Sequence, residues 1–265
     1  MSNTTADQDP TEQPLVSHLI ELRNRVLKCA LIVVVLFLIL FAFANNIYDF
    51  VSDPLTKQLE NPVIATGPMD TFMVPMKLAF MVSLFLAAPF ILHQAWAFIS
   101  PGLYQNEVKV TFPILVSSIV LFYAGLAFCY YVVLGFLFTF FIQQAPDTVE
   151  VMTDMGAYYS FVMALFLIFG LVFEIPVATV LLVISGVTTP QDLAEKRPYI
   201  IIGCFVVAVP LTPPDPISLF MMAVPMWMLF EVGAFASRLF YHPDPDDDSA
   251  AEGNGAEESK TKAET

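Results

Sequence analysis

From Val26 to Ser237 the chain is a succession of apolar runs, and the few charges between them fall almost entirely at the run ends. A soluble core does not need runs near twenty residues long, whereas a bilayer core about 30 Å thick does. The pattern therefore predicts an integral membrane protein with several helical spans. Mean hydropathy is +0.71 and 57% of residues are hydrophobic, so the average agrees with the pattern. The runs lack the strict polar/apolar alternation of a spanning β-barrel.

Six spans follow from the breaks: Val26–Ala44, Met76–Ile99, Pro113–Phe141, Ser160–Ser185, Tyr199–Thr212 and Ile217–Ala236. The fifth is about 21 Å long as a helix, too short for an ordinary bilayer. It runs into Thr212-Pro213-Pro214-Asp215-Pro216, which cannot continue a helix. We read 199–236 as two spans, both on the short side; the alternative is one interrupted buried segment. Arg23, Arg25, Lys28, Lys109, Lys196, Arg197 and Arg238 fall on one side of a six-span arrangement, Lys57 and Lys77 on the other. That asymmetry predicts cytoplasmic N- and C-termini. The loops 45–75, 142–159 and 213–216 are then external. Ala42-Phe43-Ala44 imitates a signal-peptidase site, but the run is too long and the polar segment before it too extended for a cleaved leader.

The formal charge of −14 is partly an end effect: residues 244–265 hold eight acidic residues against two lysines. This tail, taken as 241–265, and an N-terminal segment, 1–14, have compositions expected of flexible cytoplasmic arms flanking a membrane domain at 15–240. Their sign excludes a nucleic-acid-binding arm. Cys29, Cys129 and Cys204 lie in or beside spans and read as small apolar fillers, with no disulfide framework. No Walker loop, His-Glu-x-x-His or Gly-x-Ser-x-Gly is present, and His18, His93 and His242 are scattered. An enzyme is not expected, nor a metal or cofactor.

Three carboxylates need a reason. Glu174, in Phe173-Glu174-Ile175-Pro176, falls near the middle of the fourth span. An ionised group there costs about 3 kcal/mol on insertion scales. Pro176 also leaves the Val172 carbonyl without its helical partner. Glu174 is either a hydrogen-bonded structural residue or part of a polar pocket. Glu21 lies on a segment whose Leu15, Leu19, Leu22 and Val26 fall at helical spacing, which predicts a surface helix ahead of the first span. Glu21 and Arg25 are an i, i+4 pair, worth a few tenths of a kcal/mol by itself. Glu107 lies in the internal loop after the second span. Two carboxylates at the cytoplasmic membrane edge make a seat for a cationic peptide, because a guanidinium can pair with a carboxylate bidentately.

At these residues the chain resembles the TatC family, the multi-span subunit of the twin-arginine protein translocase, and its proteobacterial members in particular. The matching stretches are His18-Leu-Ile-Glu-Leu-Arg23, Met81-Val-Ser-Leu through Trp96-Ala-Phe98-Ile, Ser160-Phe-Val-Met-Ala-Leu and Phe173-Glu-Ile-Pro176. Lys196-Arg-Pro-Tyr199, Thr212-Pro-Pro-Asp215, Pro225 and Phe230-Glu231 complete the set, over about residues 15–240. The resemblance implies an all-α, cup-shaped six-helix receptor in the bacterial cytoplasmic (inner) membrane. It implies binding of twin-arginine signal peptides on folded cargo. It further implies work with single-span TatA- and TatB-type subunits, self-association in a lipid-embedded complex, and a drive from the proton-motive force. By motif match, Glu21, Arg23, Phe98 and Glu107 contact or flank the twin arginines, and Glu174 is the intramembrane polar residue. Pro54, Thr212 and Asp215 shape the external side. Gln105, Asn106 and Val108 replace residues commonly basic in relatives, Leu219 stands where Gln is usual, and Pro210 is additional. The other function class is a secondary transporter or ion channel built on Glu174. It would favour inverted repeats, and none is visible.

Overall fold

The computed structural model describes residues 12–56, 63–99, 108–144, 153–212 and 215–240, and these are all-helical apart from one isolated bridge. Helix α1 (Glu12–Phe41) contains both the expected surface segment and the first span. The separate surface helix is therefore corrected to the first turns of one continuous rod. No Gly or Pro interrupts 15–41, so nothing stops propagation. Residues 12–14, expected to be flexible, belong to the same helix.

Next come α2 (Ala44–Thr56), α3 (Asp70–Ile99), α4 (Val108–Phe128) and α5 (Leu134–Gln144), with a π-helical turn, Cys129–Val133, joining the last two into the third span. The fourth span is α6 (Met155–Val172) and α7 (Ile175–Ile184), separated at Phe173 and Glu174. A short α8 (Pro190–Glu195) leads into α9 (Arg197–Ala208), which is extended by a 3₁₀ turn at Val209–Leu211, and the chain closes on α10 (Pro216–Phe240). Five segments are long and apolar enough to cross a membrane, and α9 is the shorter sixth. Only the fifth span is short: α10 has 25 residues, about 37 Å, so the expectation of two short final spans is corrected.

The turns follow local chemistry. Gly186 (φ +71°) ends α7 in the left-handed region. The Val187 amide donates to Leu182 O and the Gly186 amide to Val183 O, the paired bonds of a Schellman ending. Thr189 and Asp192 form a reciprocal capping box around α8, with Pro190 at its first turn. Asp215 caps α10, its Oδ2 accepting from the Ser218 amide at 2.7 Å.

The core gathers Val74 and Leu78 of α3, Leu134 and Leu137 of α5, Tyr159, Val162, Leu165 and Phe169 of α6, and Met222 and Met226 of α10. Small residues let the spans approach closely, as packing in lipid requires. A Cβ on Gly125 would come within 2.6 Å of Phe169 O, and one on Gly233 within 2.6 Å of Pro176 Cα. Helix α1 sits at the edge. Among the described residues it packs chiefly on α3, with Phe37 against Phe80 at 5.8 Å and Phe41 against Phe72 at 6.3 Å.

At the other end from Arg25, α2 lays Ile47, Tyr48 and Val51 on the core and turns Asn45, Asn46 and Asp49 outward. The segment after it is tied to the start of α6. The Ile64 amide donates to Thr153 O (3.0 Å), and the Met155 amide to Ile64 O (2.8 Å).

Candidate functional site

The site begins where the start of α1 meets the end of α3. His18 stacks on Phe98, with ring centroids 4.1 Å apart and planes 18° from parallel. Two turns along α1, Arg25 reaches back to Glu21. Its Nη2 donates to Glu21 Oε1 at 2.6 Å and its Nε donates to the same oxygen at 2.9 Å. The same guanidinium crosses to α3, where Nη1 donates to Gln94 Oε1 (3.1 Å) and Nη2 to Ala97 O (3.1 Å). Arg25 therefore does more than close an i, i+4 pair: it joins two spans. Ala97 O belongs to the last turn of α3, a turn without a basic residue of its own. A cation there meets the negative end of the helix dipole.

Two of the expected peptide-binding residues, Glu21 and Phe98, thus lie on one seam, each in direct contact with a neighbour on it. Arg23 is exposed on the flank of α1, its Nη2 3.4 Å from Asn24 Oδ1. Glu107 lies outside the described residues. Sequence reasoning found the Glu21–Arg25 pair but missed Gln94 and the Ala97 carbonyl. Neither has a local signal, since each is about seventy residues from Arg25 in the chain.

The second polar centre is inside the bilayer region. Glu174 occupies the gap between α6 and α7, and its Oε2 accepts a hydrogen bond from Ser118 Oγ of α4. Ser118 is fully buried. Glu174 Oε1 is buried and has no hydrogen-bond partner among the described residues. Pro176 breaks the helix ladder as its missing N–H requires, and the Glu174 amide falls back to Leu171 O at 3.1 Å. The polar spot expected from Phe173-Glu174-Ile175-Pro176 is therefore present, but its partner, Ser118, was not foreseen.

Of the residues expected on the external side, Asp215 is a helix cap and Thr212 Oγ1 donates to Ala208 O at 3.2 Å. Pro54 falls within α2, and its side chain lies outside what the structure describes. Asp154 caps α6, accepting from the Ala157 amide (2.8 Å) and from Thr66 Oγ1 (2.6 Å). The Thr66 hydroxyl, and after it the Ala157 amide, hold this carboxyl below the usual carboxylate range.

Five long apolar spans with a shorter sixth, a broken fourth span around a carboxylate and a charged seam at one end define a multi-pass helical membrane protein without strands in its described core. The family model described as "Sec-independent protein translocase protein (TatC)" matches residues 17–225, and the chain belongs to that family. It is 54% identical over 230 residues to the Sec-independent protein translocase protein TatC of Escherichia coli (strain K12), covering 86% of this chain and 89% of that one. It is 47% identical over 248 residues to the TatC of Haemophilus influenzae, covering 93% and 96%. A solved structure described as the crystal structure of twin arginine translocase receptor TatC superposes with a TM-score of 0.76 at 32% identity, over 84% of this chain and 98% of that one. The chain is accordingly a multi-pass protein of the bacterial inner membrane.

Proposed function

We propose that this protein is the receptor core of a twin-arginine translocase, and that it recognises the paired arginines of a signal peptide at the α1–α3 seam. The carrying observation is the Glu21 carboxylate: half-exposed, at the membrane edge, and held in one orientation by Arg25. A peptide guanidinium finds there an acceptor of opposite charge beside the stacked His18 and Phe98 rings. Glu107, in the segment that follows α3, supplies the second carboxylate in this reading. Arg23 and Phe98 flank the peptide. The family membership and the likeness to a protein described as a twin-arginine translocase receptor support it.

In the same reading the chain binds rather than catalyses. It assembles with single-span TatA- and TatB-type partners and with further copies of itself, and export of folded cargo is driven by the proton-motive force. The segments 1–11 and 241–265 serve as cytoplasmic arms. Partners dock along the ends of α9 and α10, near Thr212 and Asp215. Leu219 packs partly on the core and Pro210 stands exposed in the 3₁₀ turn, so contacts there are more apolar in this chain than where a glutamine is present.

The test is binding of a twin-arginine signal peptide, and of its twin-lysine counterpart, to the purified protein. Preference for the arginine peptide, lost in Glu21→Ala, is the expected result. A charge-assisted hydrogen bond is worth about 1.5–3 kcal/mol, so Glu21→Ala or Glu107→Ala should weaken binding roughly tenfold or more. Unaltered crosslinking of a twin-arginine precursor to both variants would sink the reading.

A further inference from the structure

We infer that Arg25 is the positioning residue that gives the seam its preference for arginine over lysine. The inference rests on the reading of Glu21 as a signal-peptide contact and adds to it what fixes that contact.

Arg25 is the inner partner of its ion pair. Its side chain is 22% exposed, against 41% for Glu21. It is also held independently of Glu21, by Gln94 Oε1 and by Ala97 O on α3. A guanidinium with four hydrogen bonds to three groups on two helices does not follow a peptide that arrives from outside. Both of its bonds to Glu21 fall on one oxygen, Oε1. Oε1 is thereby pinned, and Oε2, to which Arg25 makes no bond, is the oxygen an incoming donor meets.

Orientation is what separates the two basic side chains as ligands. A guanidinium is a rigid planar fork whose N–H groups reward an acceptor held at a defined angle. An ammonium is a point charge with three rotatable donors and pairs almost equally well with a carboxylate that swings. A fixed Glu21 therefore favours arginine, and a mobile Glu21 favours neither. Competition by Arg25 for the same carboxylate would act in the opposite sense, by weakening every cationic peptide.

The experiment uses the full chain in detergent micelles. Its probes are a synthetic twin-arginine signal peptide and the same peptide with both arginines replaced by lysine. Arg25→Gln should lower affinity for the arginine peptide by about tenfold, the loss expected when one oriented charge-assisted bond is no longer preset, while the lysine peptide changes little. Gln94→Ala removes one anchor and should shift the ratio in the same direction by less. Arg25→Lys keeps the charge and should restore affinity in part without restoring the ratio. Equal losses for both peptides would make Arg25 merely structural, and tighter binding of both in Arg25→Gln would make it a competitor; either result overturns the inference. If Arg25→Gln does not fold, the ratios in Arg25→Lys and Gln94→Ala decide. Glu21→Gln without effect removes the underlying reading as well, whereas an effective Glu21→Gln with unchanged ratios in the Arg25 and Gln94 variants removes this inference alone.

Discussion

Among the described residues the Glu174 carboxyl has a single hydrogen bond, from Ser118, and its other oxygen is buried without one. Replacing it with leucine strands the Ser118 hydroxyl in a buried site, at a cost of about 1–3 kcal/mol. Glutamine keeps an acceptor for that hydroxyl. Glu174→Gln should therefore preserve stability and part of export, and Glu174→Leu should not. Transport into vesicles under a controlled proton-motive force checks the order. Complete loss in Glu174→Gln, with normal protein level and normal peptide binding, would favour a proton path through this carboxyl. Gly233 offers a second residue-scale test. An added Cβ meets Thr179 Oγ1 at 2.1 Å and Pro176 Cα at 2.6 Å, and the second is backbone that cannot rotate away. Gly233→Ala should lower the melting transition by the cost of overpacking, about 1–3 kcal/mol, whereas Gly203→Ala, which meets nothing within 4 Å, should be close to neutral. At this scale the sequence was half legible. A charge in an apolar run is conspicuous, and so Glu174 and Glu21 stood out. Arg25, four residues from Glu21, was visible as its partner; Ser118 was not, because it is one serine among several and lies 56 residues from Glu174.

Among the elements, the tie between the 63–66 segment and α6 depends on Asp154, and the link from α7 to α9 depends on Asp192 in its capping box. Hydrogen bonds to both carboxyls, from Thr66 and Ala157 in one case and from the Thr189 amide and hydroxyl in the other, lower their proton affinity in the folded chain. Their contribution is complete above the unfolded carboxylate value of about 4 and is lost as pH falls below it toward the lowered folded values. Heat denaturation followed from pH 7 down to pH 3 should show a stability loss in the acid range that is smaller in Asp154→Asn, which keeps an acceptor for the cap but does not titrate. An identical pH dependence in that variant would remove Asp154 from the account. Thr189-Pro190-Gln191-Asp192 sets a helix end by chemistry within four residues, yet α8 was not among the expectations from sequence. Nor was the α2 helix, because its apolar face is made by Ile47, Tyr48 and Val51 in a loop whose polar content masked the period. The division of the fourth span at Glu174 was half visible: Pro176 announced the break, and continued hydropathy on either side concealed that two helices result.

For the whole molecule, direction in the membrane follows from where the charges gather. Arg25 at the start of α1 touches the end of α3, and Arg197 at the start of α9 holds Glu231 near the end of α10 at 2.8 Å. The basic residues near these ends thus share one side of the bundle, opposite the α2 helix and the Ile64–Asp154 bridge. Six spans could be counted from sequence because each run is bounded by charges or prolines. The fifth remained ambiguous, since α9 has twelve residues, about 18 Å, and meets the bilayer thickness only with its 3₁₀ extension and local thinning. The positive-inside rule then places Arg25, Arg197 and Arg238 in the cytoplasm. Cysteine labelling tests this with little background, because Cys129 and Cys204 are buried and Cys29 is partly so. Ala65 and Glu195 are both exposed, at opposite ends. In intact cells stripped of their outer membrane, Ala65→Cys should react with a membrane-impermeant maleimide, and Glu195→Cys should react only after the inner membrane is opened. Labelling of Glu195→Cys first would invert the protein, move the Glu21 seam to the wrong side for a peptide presented from the cytoplasm, and end the receptor reading along with the topology.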